Sequence, residues 1–435
     1  MNYVNFRGKN MKKSNIRVFK VSFTVLTILF ALMVSAQGSN LKLHTNNVKS
    51  LESKPWTTLY YIDNDYENPS YDDPIEDLFI DEIASNDNVN VVIIQDTLDG
   101  PAFLYFIDED HNKILLEELG EMNMGDYQTL SYFIDYGKQN YPADRYLLWV
   151  YNHGGGWKGA CMDDTNNDPF LTMDDFQKAL TETGGVDIIS FFACLMGSLE
   201  SVYELRDLVD VYVGSEDLAH TVWWDGICGD TNQLLTDNPG LSNDEIGTQI
   251  VDFYETQNNP LSNLLTVSAI KVDKIEALVN AIDALGQYFI NNWRQCKSEV
   301  KTAHENTFLL ADLQGWAEVF EVYDLKGFIE NLPDSSEKTA VIDAFEEALI
   351  YEVHGRSREE THGLSIFFPA EYESRDLLNY YKDEDLSLDF PGDTCWDEFL
   401  LKLTTKSRNH IQPKMFRLNI IKTLLQMLNI TTCYV

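Results

Sequence analysis

Apolar residues fall along the chain in two alternating textures. Short, nearly continuous runs rich in aromatic and β-branched residues occur at 57–62, 89–95, 146–151, 187–192 and 211–215. Their length and composition predict buried strands. Between them, at 75–84, 127–140, 172–183 and 196–208, apolar residues recur at three- and four-residue spacing, which predicts helices with one buried stripe. Thr172, with Asp175 three residues on, reads as a capping box in which Asp replaces the usual Glu. The pattern continues with helices at 243–254, 272–291 and 338–351 and strands at 265–270 and 363–368, which extend the sheet or build a second subdomain. Strand and helix in alternation predict an α/β fold: an α/β/α sandwich around a central, mostly parallel sheet, with a helical C-terminal part. Strands that are apolar throughout suit a sheet covered on both faces. No internal repeat is visible.

The first 36 residues are different in kind. Arg7, Lys9, Lys12, Lys13, Arg17 and Lys20 precede an apolar run at 21–34 that closes on Val34-Ser35-Ala36. This is the layout of a signal peptide with a small-x-small site, cleaved near Ala36, and it predicts a secreted, periplasmic or extracellular protein. The alternative is an uncleaved anchor, but the run is shorter than the roughly 20 residues a span needs. No membrane span is expected in the mature chain. Residues 37–55 are polar and aperiodic, a linker or pro-segment, and the globular domain is expected over 56–405. The last thirty residues, 406–435, hold five Lys or Arg and no acid. Three readings stay open for them: an amphipathic helix at 415–428, a docking segment, or the product of a reading-frame error.

Charge narrows the partners. The full chain carries 32 basic and 70 acidic residues, and without its first 36 residues 26 basic remain, a formal charge near −44. Nucleic acid and anionic membranes are poor partners for such a surface. Six widely spaced cysteines, none in a CxxC pair, suggest neither a zinc site nor a disulfide framework.

Two strand ends carry the candidate chemistry. The run 147–151 leads into Asn152-His153-Gly154-Gly155-Gly156, and 188–192 leads into Ala193-Cys194. In an open parallel sheet, sites assemble at the carboxyl ends of strands. Two strands joined through one helix are natural neighbours, so an imidazole and a thiol are expected in one cleft. Cysteine attacks only as thiolate, and a nearby imidazole provides for that. With Cys194 opening the helix predicted from Met196, the positive helix end would favour the anion. The Gly154 and Cys194 N–H groups are the candidate oxyanion donors. Either feature alone is also what an ordinary strand end looks like, with the cysteine as a small apolar residue. His-Gly-Gly-Gly also occurs beside the oxyanion hole of lipase-like hydrolases, but the G-x-S-x-G their serine needs is absent.

A wider set of residues resembles the clostripain-like cysteine peptidases, relatives of caspases, legumain and gingipains. The resemblance rests on the segments 141–157, ending in His153-Gly154-Gly155-Gly156-Trp157, and Phe191-Phe192-Ala193-Cys194-Leu195-Met196-Gly197 with Glu200 and Tyr203-Glu204-Leu205. It also takes in Trp56-Thr57, Asp63-Asn64-Asp65, Gly120-Glu121-Met122-Asn123-Met124-Gly125, Ser215-Glu216 and the run from Gly363 to Pro369, so it covers about residues 56–404. It implies hydrolysis of protein or peptide substrates through a thioester, with His153 as general acid and base and Cys194 as nucleophile. A catalytically idle relative that binds peptides is the rival reading. Many members cut after Arg or Lys, reading that side chain with an aspartate two residues before the nucleophile. Here that position is Phe192, which cannot pair with a guanidinium. Ser215, Glu216 and Asp217 are the other pocket candidates, and Asp164 or Asp225 could also supply the missing charge. The dyad chemistry requires no cofactor. Relatives sometimes need calcium, and Asp164-Thr165-Asn166-Asn167-Asp168 offers oxygen ligands at alternate positions, without the central Gly or distal Glu of an EF-hand. Some relatives also cut themselves at a basic residue between the dyad residues. Between Gly159 and Gln177 there is no Lys or Arg, so no basic-site self-cleavage is expected there. A mass spectrum showing two chains split within that loop would contradict this.

Overall fold

A computed structural model of the chain describes residues 52–64, 82–98, 100–166, 170–220, 226–256, 261–312, 317–383 and 386–405. The segment expected to be a signal peptide, nearly all of the expected linker, most of the helix expected at 75–84 and the basic tail lie outside the described residues.

Among the described residues, nine strands form one sheet. In chain order they are β1 Lys54–Asn64, β2 Val89–Thr97, β3 Ala102–Ile107, β4 Lys113–Gly120, β5 Ala143–Tyr151, β6 Ile188–Phe192, β7 Val211–Gly214, β8 Thr266–Lys271 and β10 Leu349–His354. Their order across the sheet is β10-β8-β7-β6-β5-β1-β2-β3-β4. The five strands β7-β6-β5-β1-β2 are parallel, and antiparallel strands extend them on both sides. The central strands are buried along most of their length, as a sheet covered on both faces requires.

The helices are α1 Tyr127–Asn140, α2 Met173–Thr183, α3 Leu199–Glu204, α4 Ile227–Asp237, α5 Asn243–Thr256, α6 Ile275–Glu305, α7 Ala317–Phe320, α8 Leu325–Glu330, α9 Ser336–Ala348, α10 Arg375–Tyr381, α11 Asp389–Asp393 and α12 Trp396–Leu403. Because strand residues alternate between faces, they feed two cores. Leu59, Tyr61, Val150 and Phe191 pack with α1, α2, α3 and α6. Tyr60, Trp149, Phe192 and Val213 pack with α4 and α5. The predicted capping box is formed: the Thr172 side chain accepts the Asp175 N–H and the Asp175 side chain accepts the Thr172 N–H.

One open alternative is decided and two expectations change. The strand expected at 363–368 does not extend the main sheet; β11 Ser365–Phe367 pairs with β9 Val322–Asp324 in a separate two-stranded sheet. The helix expected at 338–351 ends at Ala348 and passes directly into β10. The helix expected at 196–208 is only α3, beginning at Leu199. Leu195 at φ 65 turns the chain out of a helical path, and Ser198 caps the helix by accepting the Ser201 N–H.

Candidate active site

Strands β5 and β6 pair in register from Leu147↔Ile188 to Tyr151↔Phe192, a constant offset of 41 residues. The same offset separates His153 from Cys194, two residues beyond each strand end. Parallel neighbours lie about 4.8 Å apart, so the sheet itself delivers both residues to one place. The approach is closer still at the backbone: a Cβ built on Gly154 would lie 2.2 Å from Cys194 O and 2.9 Å from Cys194 N. Only glycine fits there.

Cys194 sits in a turn, not at a helix end, and this removes the helix dipole from the account of its thiolate. A different donor is present. The Ala219 N–H donates to Cys194 Sγ at 3.3 Å, and Ala219 O lies 3.5 Å from the same sulfur. The loop after β7 is tied to the Cys194 turn along its length, with Leu195 N–H donating to Asp217 O at 3.0 Å and Gly197 N–H to Ser215 O at 2.7 Å. Cys194 is half-buried; Cys161, Cys228 and Cys296 are buried free thiols.

The His153 side chain is exposed to solvent, yet the mass of protein around it pushes its pKa below the usual histidine value, while the Asp164 carboxylate acts in the opposite sense. The neutral ring is therefore favoured at neutral pH, the form in which an imidazole accepts a proton. Gly154 and Ala160 form an antiparallel bridge through Cys161 N–H to His153 O at 3.1 Å and Gly155 N–H to Gly159 O at 2.9 Å. That bridge leaves the Gly154 N–H out of its ladder.

Comparison with known proteins bears on the family and the fold. Residues 60–404 match the clostripain family model. The chain belongs to the clostripain family. It is 30% identical over 306 residues to clostripain of Hathewaya histolytica, covering 57% of this chain and 58% of that protein. The chain thus spans little more than half the length of that relative. Two solved structures share the fold. One is an inactive zymogen C11 protease from Parabacteroides distasonis, with TM-score 0.62 at 22% identity over 79% of this chain and 98% of that one. The other is a secreted C11 cysteine protease from Bacteroides thetaiotaomicron in complex with an irreversible peptide inhibitor, with TM-score 0.61 at 18% identity over 79% and 99%.

The four pocket candidates are engaged inside this clostripain-family domain. Phe192 is 1% exposed and stacks on Trp149 with ring centroids 4.7 Å apart. Ser215 Oγ bonds Thr266 Oγ1 at 2.8 Å. The Glu216 carboxylate accepts the Gly363 N–H at 2.7 Å, and burial together with the nearby Asp324 charge pushes its pKa well up. Asp217 is ion-paired to Arg358 at 2.5 Å and accepts the Ala311 and Leu218 N–H groups. Its charge is therefore already matched. Asp225 lies outside the described residues.

The candidate calcium loop is described only in its first half. Among the described residues, no group of three or more His, Cys, Asp or Glu is placed to hold a metal ion. Sequence reasoning missed Ala219 and Arg358, which reach the site from 25 residues beyond Cys194 and 141 beyond Asp217. No local pattern marks either. It also passed over Asn152, whose place beside His153 was a signal.

Proposed function

We propose that the protein is an exported cysteine endopeptidase that cleaves peptide bonds with Cys194 as nucleophile and His153 as general base and acid. The observation that carries this reading is the in-register delivery of the two residues by β5 and β6, with the Gly154 backbone against Cys194. Neutral His153 takes the thiol proton, and the thiolate, steadied by the Ala219 N–H, attacks the peptide carbonyl. The Gly154 and Cys194 amides receive the oxyanion. The C–N bond breaks as His153 returns the proton to the leaving amine, and a thioester remains on Cys194. Water, deprotonated by His153, then hydrolyses the thioester and restores the thiol.

The substrates are peptides and proteins, and the residue before the cut is small or apolar, not basic. Phe192 stands where an acid would read a guanidinium, and Arg358 already neutralises Asp217. Export follows from the signal-like first 36 residues. Among the described residues, no helix is long and apolar enough to cross a membrane.

The test is cleavage of a mixed peptide library by the wild-type protein, Cys194→Ala and His153→Ala. Both variants are expected to lose turnover by at least about 10³-fold. Equal cleavage by wild type and Cys194→Ala would refute the assignment. A profile dominated by Arg or Lys before the cut would refute the specificity, and no turnover by wild type under any reducing or calcium condition would favour a peptide-binding role.

A further inference from the structure

Asn152 stands between the last residue of β5 and His153, with 6% of its surface exposed. Its amide meets four backbone groups. Oδ1 accepts the His153 N–H and the Met162 N–H at 3.0 Å. Nδ2 donates to Asp63 O, at the end of β1, at 2.8 Å and to Met162 O at 3.4 Å. Two N–H groups on one side and two C=O groups on the other call for a carboxamide. A carboxylate would face two carbonyls with no donor, and a hydroxyl could not span them.

The same turn is bound to His153 by the Cys161 N–H to His153 O bond at 3.1 Å. Two residues beyond Met162 comes half-buried Asp164, whose charge acts on the imidazole. The titratable groups facing this loop include Tyr61 and Asp63 on β1, Asp96 on β2, Glu121 after β4, Lys158, Cys161, Asp163 and Asp164 in the loop itself, and Cys194 after β6. Asp163 is buried, its carboxylate accepting the Met124 N–H at 2.7 Å and the Asn166 N–H at 3.0 Å. Lys158 is buried with its ammonium 4.6 Å from the Phe320 ring and bonded to Val319 O. The Asp164 charge acts on His153.

We propose, on the reading that His153 is the base, that Asn152 is a positioning residue whose amide binds the main chain at His153 to the 161–164 turn and so presents the Asp164 carboxylate to the imidazole. When His153 takes the thiol proton it becomes a cation. The negative charge of Asp164 acts in favour of that cation.

The full chain is compared as wild type, Asn152→Ala, Asn152→Ser, Asp164→Asn and Asn152→Ala/Asp164→Asn, by kcat, KM, the pH profile of kcat/KM, melting temperature, and NMR titration of the His153 ring. Asn152→Ala is expected to lower kcat about 10²-fold with KM little changed. It should also move the acid limb of kcat/KM to lower pH, as Asp164→Asn does, because the imidazole loses its anionic neighbour. The double variant should move the limb no further than either single change, since both remove one interaction. Should Asn152→Ala fail to fold, Asn152→Ser, which retains a hydroxyl, carries the same comparison. An unmoved imidazole titration in the folded Asn152 variant, or effects that simply multiply in the double variant, would overturn the proposal. A wild-type protein without turnover would count against the peptidase reading, while the ring titration would still decide the role of Asn152.

Discussion

Gly154→Ala is expected to lower kcat/KM by roughly 10²–10³-fold, approaching the loss from removing Cys194. The added methyl would stand 2.2 Å from Cys194 O, 2.9 Å from Cys194 N and 2.9 Å from the Ala193 Cβ. Real Cβ contacts do not come that close, so one of the two strand tips must retreat. Neither is free to do so alone. The Cys194 turn is bound to the 215–219 loop by the Leu195 and Gly197 amides, and the His153 segment is bound to the 159–161 segment by the Gly155 and Cys161 amides. The strain therefore appears where thiol, imidazole and the two oxyanion donors must agree. Steady-state kinetics with the best library peptide, together with the alkylation rate of Cys194, would measure the loss. Gly240→Ala, whose added Cβ meets nothing within 4 Å, is the matched control and should retain wild-type turnover. Near wild-type kinetics in Gly154→Ala would show that the turn yields, and the tight approach would lose its functional meaning.

How much of this was legible in the sequence depends on how far apart the interacting residues lie. The parallel strands were legible because each is a short apolar run, and the His153–Cys194 pairing because one helix between two such runs leaves little choice of neighbour. The β3–β4 extension was not. Its edge strand Lys-Ile-Leu-Leu-Glu-Glu-Leu-Gly is largely exposed and carries the Leu and Glu content of a helix surface; its pairing with β3 decides its state. The helix after Cys194 was misjudged because its apolar spacing continues through a turn set by Leu195 in the left-handed region, a conformation that no periodicity reveals. Asp217 was legible as an acid near the site but not as a neutralised one. Its partner Arg358 comes from the loop after β10, and pairing at that separation is a property of the fold alone.

Replacing Glu200 and Glu204 together by glutamine is expected to make the protein more stable than wild type at pH 8 and to flatten the fall of its stability with pH. Both carboxyls lie on α3, just after the Cys194 turn, and are 0% and 1% exposed. Glu200 accepts the Phe367 N–H at 2.9 Å and the Tyr381 hydroxyl at 3.2 Å; Glu204 accepts the Asp389 N–H at 2.7 Å and the Phe390 N–H at 3.2 Å. Those bonds favour the charged forms, but burial outweighs them. It pushes Glu200 up to about 7 and Glu204 up to about 8, with the Asp389 charge adding to the latter. An unfolded chain releases these protons near pH 4.3. Between that pH and about 8 the folded state holds more protons than the unfolded one, so stability must fall as pH rises. The contribution is complete below the unfolded value and lost as pH climbs through 7 and 8. For Glu200 it amounts to roughly 4 kcal/mol, and for Glu204 to about 5 kcal/mol. Glutamine keeps the acceptor oxygen and removes the titration. Melting temperatures of wild type and the double variant from pH 5 to 8 would isolate the pair, since the repulsion among the other acids is common to both. Parallel curves would sink the prediction. The consequence reaches the candidate site, because Trp157, four residues after His153, packs on Phe367 and Tyr381 at 5.0 and 5.1 Å, the same two residues that bond Glu200. Ionising Glu200 therefore loads the cluster on which Trp157 packs, and in wild type the loss of stability toward pH 8 should begin there.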